Sequence, residues 1–193
     1  MTNKFTILLL ISAASFSKSI AQTTFSTNPD NVTFHTEDIH TFWKVFDKTT
    51  PNFDAKVFQK EYIAAGSKGL QGFINMRIED GKNISKTVKG NLAYYQSIRE
   101  NSFLIDKKRD RFYECFRNLK KTYSKAVFPD VYFVIGAKNS GGTTFKGGLI
   151  IGAEMFGKTT ETFSPVLDID YIDEVVAHEL IHFQQNYAKI ILF

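Results

Sequence analysis

The chain has 193 residues, 24 of them basic and 20 acidic, for a net charge of +4, and it is 43% apolar with 19 phenylalanines. That composition excludes a disordered or fibrous protein, and a single cysteine excludes an internal disulfide. The charge excludes a dedicated nucleic-acid binder: Lys107, Lys108, Arg109 and Arg111, with Lys120 and Lys121, are the only dense basic clusters, and they read as a solvated helix face.

Residues 1–21 have the pattern of a signal peptide, with Lys4 ahead of an apolar run over residues 5–14 and small residues Ser19 and Ala21 where a signal peptidase reads. The run is about ten residues against the ~20 needed to span a bilayer. No cysteine follows it to carry a lipid anchor. The expectation is an exported protein, periplasmic or extracellular, with no integral membrane segment after cleavage. Removing Lys4 and Lys18 with the leader lowers the net charge to +2. Residues 22–34 are polar, contain Pro29 and are expected to be a flexible lead-in, and residues 35–193 are long enough for one domain with a real core.

Helical spacing runs through the first two thirds of that domain. Ile39, Phe42, Trp43 and Phe46 predict a helix over residues 36–47 with Thr36 as N-cap. Asp54 caps a second helix carrying Val57, Phe58, Tyr62 and Ile63, which Gly66 ends. Leu70, Phe73, Ile74 and Ile78 predict a third, and after a turn at Asp80 and Gly81, residues Ile84, Val88, Leu92, Tyr95 and Ile98 predict a fourth. Phe112, Phe116, Leu119 and Tyr123 predict a fifth, with Cys115 as a buried, inert thiol. His35 and His40 are five residues apart, about 140° round a helix, and do not form a metal pair.

The pattern changes at Pro129. Residues 131–135 and 148–152 are β-branched and aromatic runs bounded by glycine, and the glycine- and threonine-rich stretch between them predicts a hairpin or an edge loop. Beyond it, Ile172, Val175, Val176, Leu180, Phe183 and Tyr187 share one stripe of a helix over about residues 170–189. The fold class is therefore α+β: a helical N-terminal part, a small sheet or hairpin, then a long helix.

Off that stripe lie His178, Glu179 and His182, the H-E-x-x-H pattern. Positions i and i+4 stack on one helical face, so His178 and His182 can reach a single metal ion, whereas Glu179 sits about 100° further round. The arrangement predicts Zn²⁺ held by His178 and His182, with Glu179 as the general base toward a zinc-activated water.

The stretch 175–183, VVAHELIHF, resembles the active-site helix of zincin metallopeptidases. Together with residues 131–136 (VYFVIG), 139–144 (NSGGTT) and 148–154 (GLIIGAE), it resembles secreted bacterial zinc-dependent proteases of unassigned substrate. The resemblance covers roughly the last third of the chain. It implies a secreted hydrolase cleaving peptide bonds in a peptide or protein substrate, with an edge strand along the cleft to pair with an extended peptide.

The third zinc ligand is not visible. The metzincin spacing of a glycine and a third histidine falls on Gln185 and Ala188, so that subclass is excluded, and the downstream glutamate of gluzincins has no counterpart in the eleven residues after His182. The apolar ending at residues 188–193 predicts a domain incomplete at its C-terminus. If the ligand comes from upstream, Glu154, Asp168, Asp170 and Asp173 are the available carboxylates, Glu154 first. Two alternatives stand beside the peptidase: a non-catalytic remnant, and an exported envelope-associated binding protein with an incomplete metal site.

Overall fold

The computed structural model describes residues 25–157 and 167–191, so the expected signal peptide lies outside the described residues. The fold is α+β: helices first, then a small mixed sheet, then a long C-terminal helix.

Helix α1 (Glu37–Thr49) buries Ile39, Phe42, Trp43 and Phe46 on one face. Thr36 stands at its N-cap position, but its hydroxyl does not cap the helix and donates instead to Asp106 Oδ1 at 2.9 Å. Asp54 does cap α2 (Ala55–Val57), accepting from the Lys56 N–H at 2.8 Å, and the helix widens into π-turns over Phe58–Ile63. α3 (Lys68–Phe73) widens the same way over Ile74–Ile78. The one helix expected over residues 84–98 is two, α4 (Gly81–Gly90) and α5 (Leu92–Phe103). Asn91 breaks it, with φ −132° and ψ 35°, directly after a glycine that weakens the helix end. α6 (Arg109–Thr122) follows. Phe42 centres the core of this region, with the rings of Trp43, Phe58, Tyr62 and Tyr95 at 5.0 to 6.0 Å.

The main sheet has four strands, β1 (Phe34–His35), β2 (Val131–Val134), β3 (Gly142–Phe145) and β4 (Gly148–Gly152), in the order β1-β2-β4-β3. β2 and β4, the two runs read from the sequence, are parallel neighbours. The hairpin is made by β4 with β3, which is antiparallel to it and forms the edge among the described residues. A second, two-stranded sheet joins β5 (Phe156–Gly157) to β6 (Leu167–Asp168), and α7 spans Ile172–Ile191.

Helices cover both faces of the main sheet. On one face α3 comes close enough that a Cβ at Gly69 would lie 2.1 Å from Tyr132 Cβ, and one at Gly72 would lie 2.7 Å from Phe145 Cδ2. On the other, α6 stacks Phe112 on Phe133 at 5.3 Å and α7 lies along β3 and β4. The segment expected as a lead-in is, from Phe25 on, packed into the domain: Ser26 bridges to Phe128, and Phe25 meets Phe183 edge-on at 4.8 Å.

The basic cluster before and within α6 is more than a solvated face. Lys108 reaches Asp170 at 2.9 Å, Arg111 reaches Asp173 at 2.9 Å, and Arg109 donates to the Phe34 carbonyl at 2.7 Å. These contacts strap α6 to the start of α7 and to β1. Cys115 is half-buried, and burial pushes its thiol up. No helix among the described residues is long and apolar enough to cross a membrane.

The α3 contact makes a direct prediction. Gly69→Ala places a methyl group into the Tyr132 side chain and should cost about 1–3 kcal/mol of stability, as overpacking does. A lower urea midpoint at unchanged slope is the expected reading.

Candidate functional site

The rotation of α7 about its axis is set by what it buries. Ile172, Val176, Leu180 and Phe183 are buried, with Val175 and Tyr187 partly so, as the stripe predicts. The side-chain amide of Gln184 fixes the same rotation: it donates to the Val127 carbonyl at 2.7 Å and accepts from the Val127 N–H at 3.0 Å. The opposite face therefore carries His178 and His182, both exposed, while Glu179 lies between the faces, half-buried.

The two imidazoles converge. His178 Nε2 and His182 Nε2 are 3.0 Å apart, with the rings 85° from parallel. Two nitrogens on one tetrahedral zinc stand roughly 3.3 Å apart, from Zn–N distances near 2.05 Å. His182 Nδ1 meets Gln185 Oε1 at 3.3 Å, a partner that favours the proton on Nδ1 and leaves the Nε2 lone pair facing His178. The pair fits a divalent transition metal as two of its ligands.

Glu179 is positioned by β3. A Cβ built on Gly142 would lie 2.7 Å from Glu179 Cγ and 2.9 Å from its Oε1, so only glycine at 142 leaves the carboxylate where it is. Burial raises the pKa of Glu179, opposed by the charge of the two histidines. Further along β3, Thr144 Oγ1 accepts from Asn186 Nδ2 at 3.3 Å, which ties the strand to α7 a second time.

The register says which backbone groups of β3 are open. Gly152 N–H donates to the Gly141 carbonyl at 3.2 Å, and pairing then alternates along the hairpin. Thr143 and Phe145 face β4, and Gly142 and Thr144 turn their N–H and C=O groups to the outer edge. The Gly142 carbonyl already accepts from Ser140 Oγ at 3.0 Å.

The upstream carboxylates do not complete the metal set. Glu154 is fully buried, and its Oε1 accepts from the Lys138 N–H at 3.2 Å. Asp168 caps the Asp170 N–H at 2.9 Å, and Asp170 and Asp173 are the acceptors of Lys108 and Arg111. Among the described residues no three His, Cys, Asp or Glu side chains are grouped to hold a metal ion. His35 is stacked on Tyr132 at 4.4 Å, and His40 lies 3.7 Å from Asp106.

Sequence reading missed Gly142, Thr144, Gln184 and Asn186. The glycine pair at 141 and 142 was the one visible signal, and it fits a turn as well as a close approach. Compared with known proteins, the chain matches no family, no curated protein and no solved structure.

Burial pushes the Glu154 carboxyl up to about 7, against hydrogen bonds from the Gly136 and Lys138 backbone that favour its ionised form. The folded state therefore keeps this proton over a range in which the unfolded chain, at 4.5, has lost it. The resulting stability is complete below pH 4.5 and is lost as pH rises through about 7, by at most about 3 kcal/mol. Glu154→Gln should flatten that part of the pH–stability curve, and urea midpoints between pH 4 and 8 measure it.

Proposed function

We propose that the chain is an exported, zincin-like peptide hydrolase in which His178 and His182 hold a zinc ion and Glu179 is the general base. The observation that carries this reading is the convergence of the two Nε2 atoms, 3.0 Å apart, on the exposed face of a helix whose glutamate is tucked under an edge strand. Two histidines on a helix are common. Two histidines whose Nε2 atoms converge, a half-buried carboxylate between them and a strand edge left unpaired among the described residues make a more particular combination. The expected leader at residues 1–21 supports a periplasmic or extracellular setting.

Zinc, when bound, supplies Lewis acidity that polarises a carbonyl and brings the pKa of water toward about 7. The rest is the work of this chain's own groups. The outward N–H and C=O of Thr144, with the N–H of Gly142, offer an extended peptide a strand to pair with, which would hold its backbone along α7. Glu179 Oε takes a proton from the attacking water and delivers it to the leaving nitrogen. Partial burial suits that role, because a carboxylate that has lost part of its hydration is a stronger base.

The test is zinc content and hydrolysis of a mixed peptide library by the purified chain. His178→Ala and His182→Ala should each abolish stoichiometric zinc, since the set of two among the described residues has none to spare. Glu179→Gln should keep zinc and lose turnover, because the amide preserves shape and cannot take the proton. Retention of full zinc in either histidine variant, or full activity in the glutamine variant, would sink the assignment. Gly142→Ala should also keep zinc while lowering kcat by about tenfold or more, the cost of moving a general base by a fraction of an ångström. An unchanged kcat would show that the strand does not place the base.

The two-ligand set among the described residues favours one second reading, a non-catalytic domain that binds peptide on the same strand edge. It predicts peptide binding that survives both histidine substitutions, with no turnover in any form of the chain.

A further inference from the structure

We infer that Glu154 is a positioning residue for the candidate site: its buried carboxyl fixes the loop of residues 136–141, and through that loop the place of the edge strand above Glu179. This inference rests on the peptidase reading for its kinetic consequence, though not for its structural one.

Glu154 occupies a position that an apolar side chain would ordinarily fill. It is fully buried in the turn that follows β4 (Ala153–Met155), and its Oε2 has no hydrogen-bond partner. An unpartnered buried oxygen is costly, so a carboxyl here needs a compensating contact. The other oxygen makes it. Oε1 accepts the N–H of Lys138, a residue held in left-handed backbone at φ +60°, which a non-glycine residue adopts at a cost unless its neighbours enforce it. The loop is also close-fitted around the carboxyl. A Cβ on Gly136 would fall 2.6 Å from Glu154 Oε1, and one on Gly152 would fall 3.2 Å from Oε2 and 2.1 Å from the Ser140 carbonyl oxygen.

From Lys138 the contacts run straight to the site. Ser140 Oγ donates to the Gly142 carbonyl, Gly152 N–H donates to the Gly141 carbonyl, and the next residue is the glycine against which the Glu179 side chain packs. Behind the loop α5 holds the same elements: Tyr94 donates to the Glu154 carbonyl at 2.7 Å and Tyr95 to the Gly136 carbonyl at 2.8 Å, while Lys138 Nζ lies 3.7 Å over the Tyr94 ring. Tyr95 fixes the first residue of the loop at its carbonyl, and Tyr94 fixes the backbone of Glu154 itself. The Glu154 carboxyl holds the backbone N–H at its middle, beside Asn139 Nδ2, which donates to the Arg77 carbonyl at 2.7 Å, so removing the carboxyl loosens the backbone of the segment that delivers β3.

The experiment compares the full-length chain with its Glu154→Leu and Glu154→Gln variants, by amide hydrogen exchange and by peptide turnover. Leucine removes the acceptor, whereas glutamine keeps an oxygen for the Lys138 N–H. In Glu154→Leu the amides of residues 138–145 should exchange about tenfold faster or more while those of α1 and α7 are unchanged, and Glu154→Gln should restore protection. Turnover should follow, with kcat down about tenfold or more in the leucine variant, KM changed less, zinc content unchanged, and glutamine within about threefold of wild type. Unchanged exchange over 138–145 in Glu154→Leu overturns the inference. So does faster exchange spread evenly over the whole domain, which would mark a general loss of stability. If the wild-type chain hydrolyses no peptide the peptidase reading fails alone, and the exchange data still decide the role of Glu154.

Discussion

Everything at the candidate site depends on one angle, the rotation of α7 about its own axis. A helix carrying His178, Glu179 and His182 is a metal-binding surface only if its histidines point away from the core, and a turn of about 100° would carry His182 into the direction where Phe183 is now buried. The buried stripe of Ile172, Val176, Leu180 and Phe183 sets that angle. Exposing even two of these side chains would cost roughly 3–6 kcal/mol, comparable to the whole stability of many domains. Gln184 makes the choice finer than hydrophobicity alone can. Its amide matches both backbone groups of Val127, an arrangement that tolerates little rotation.

Given that angle, the site's three groups fall into two electrostatic settings. The imidazoles stand in solvent, where a cation can approach them. The carboxylate stands in the crease between helix and strand, where water is partly excluded and its pKa rises. The difference follows from geometry: on a helix the residue after the first histidine points about 100° to one side, and here that side is where β3 lies. A glycine at 142 is what lets the strand close over the glutamate without displacing it. Sheet, hairpin and helix thus divide one five-residue motif into an exposed pair of imidazoles and a sheltered carboxylate.

The parts of this arrangement legible in the sequence are those that local chemistry dictates. The α7 stripe, the Asp54 cap and the strand character of residues 131–134 and 148–152 each follow from side-chain spacing or a single short-range hydrogen bond. What was not legible depends on partners distant in the chain. Thr36 has the residue type and position of an N-cap, yet Asp106, 70 positions away, takes its hydroxyl. The break at Asn91 lies inside an unbroken apolar period, so the spacing does not show it, although Gly90 just before it weakens the helix end. The stretch holding β3 predicts a hairpin or an edge loop without fixing which residues pair, because glycines and threonines there leave Phe145 as the one large apolar side chain. Its strand geometry comes from pairing with β4, and its half-exposed residues give no period for a sequence reading to detect.

The carboxylates upstream of α7 show why a motif with ligand-type neighbours need not carry a full ligand set. Asp168, Asp170 and Asp173 crowd the start of the helix, and near a helix N-terminus a carboxylate is stabilised whether or not a metal is at hand. Asp168 satisfies a backbone N–H, and Asp170 and Asp173 receive Lys108 and Arg111 from the region of α6. Glu154 is turned away into the core and bonded to a loop N–H. Asp170 and Asp173 help strap the start of α7 to α6, Asp168 caps the turn ahead of the helix and Glu154 holds a loop, so recruiting any of them as a ligand would break a contact already made. On the proposed reading, zinc at this helix would be held by the two imidazoles and by groups that approach its exposed face from outside these contacts.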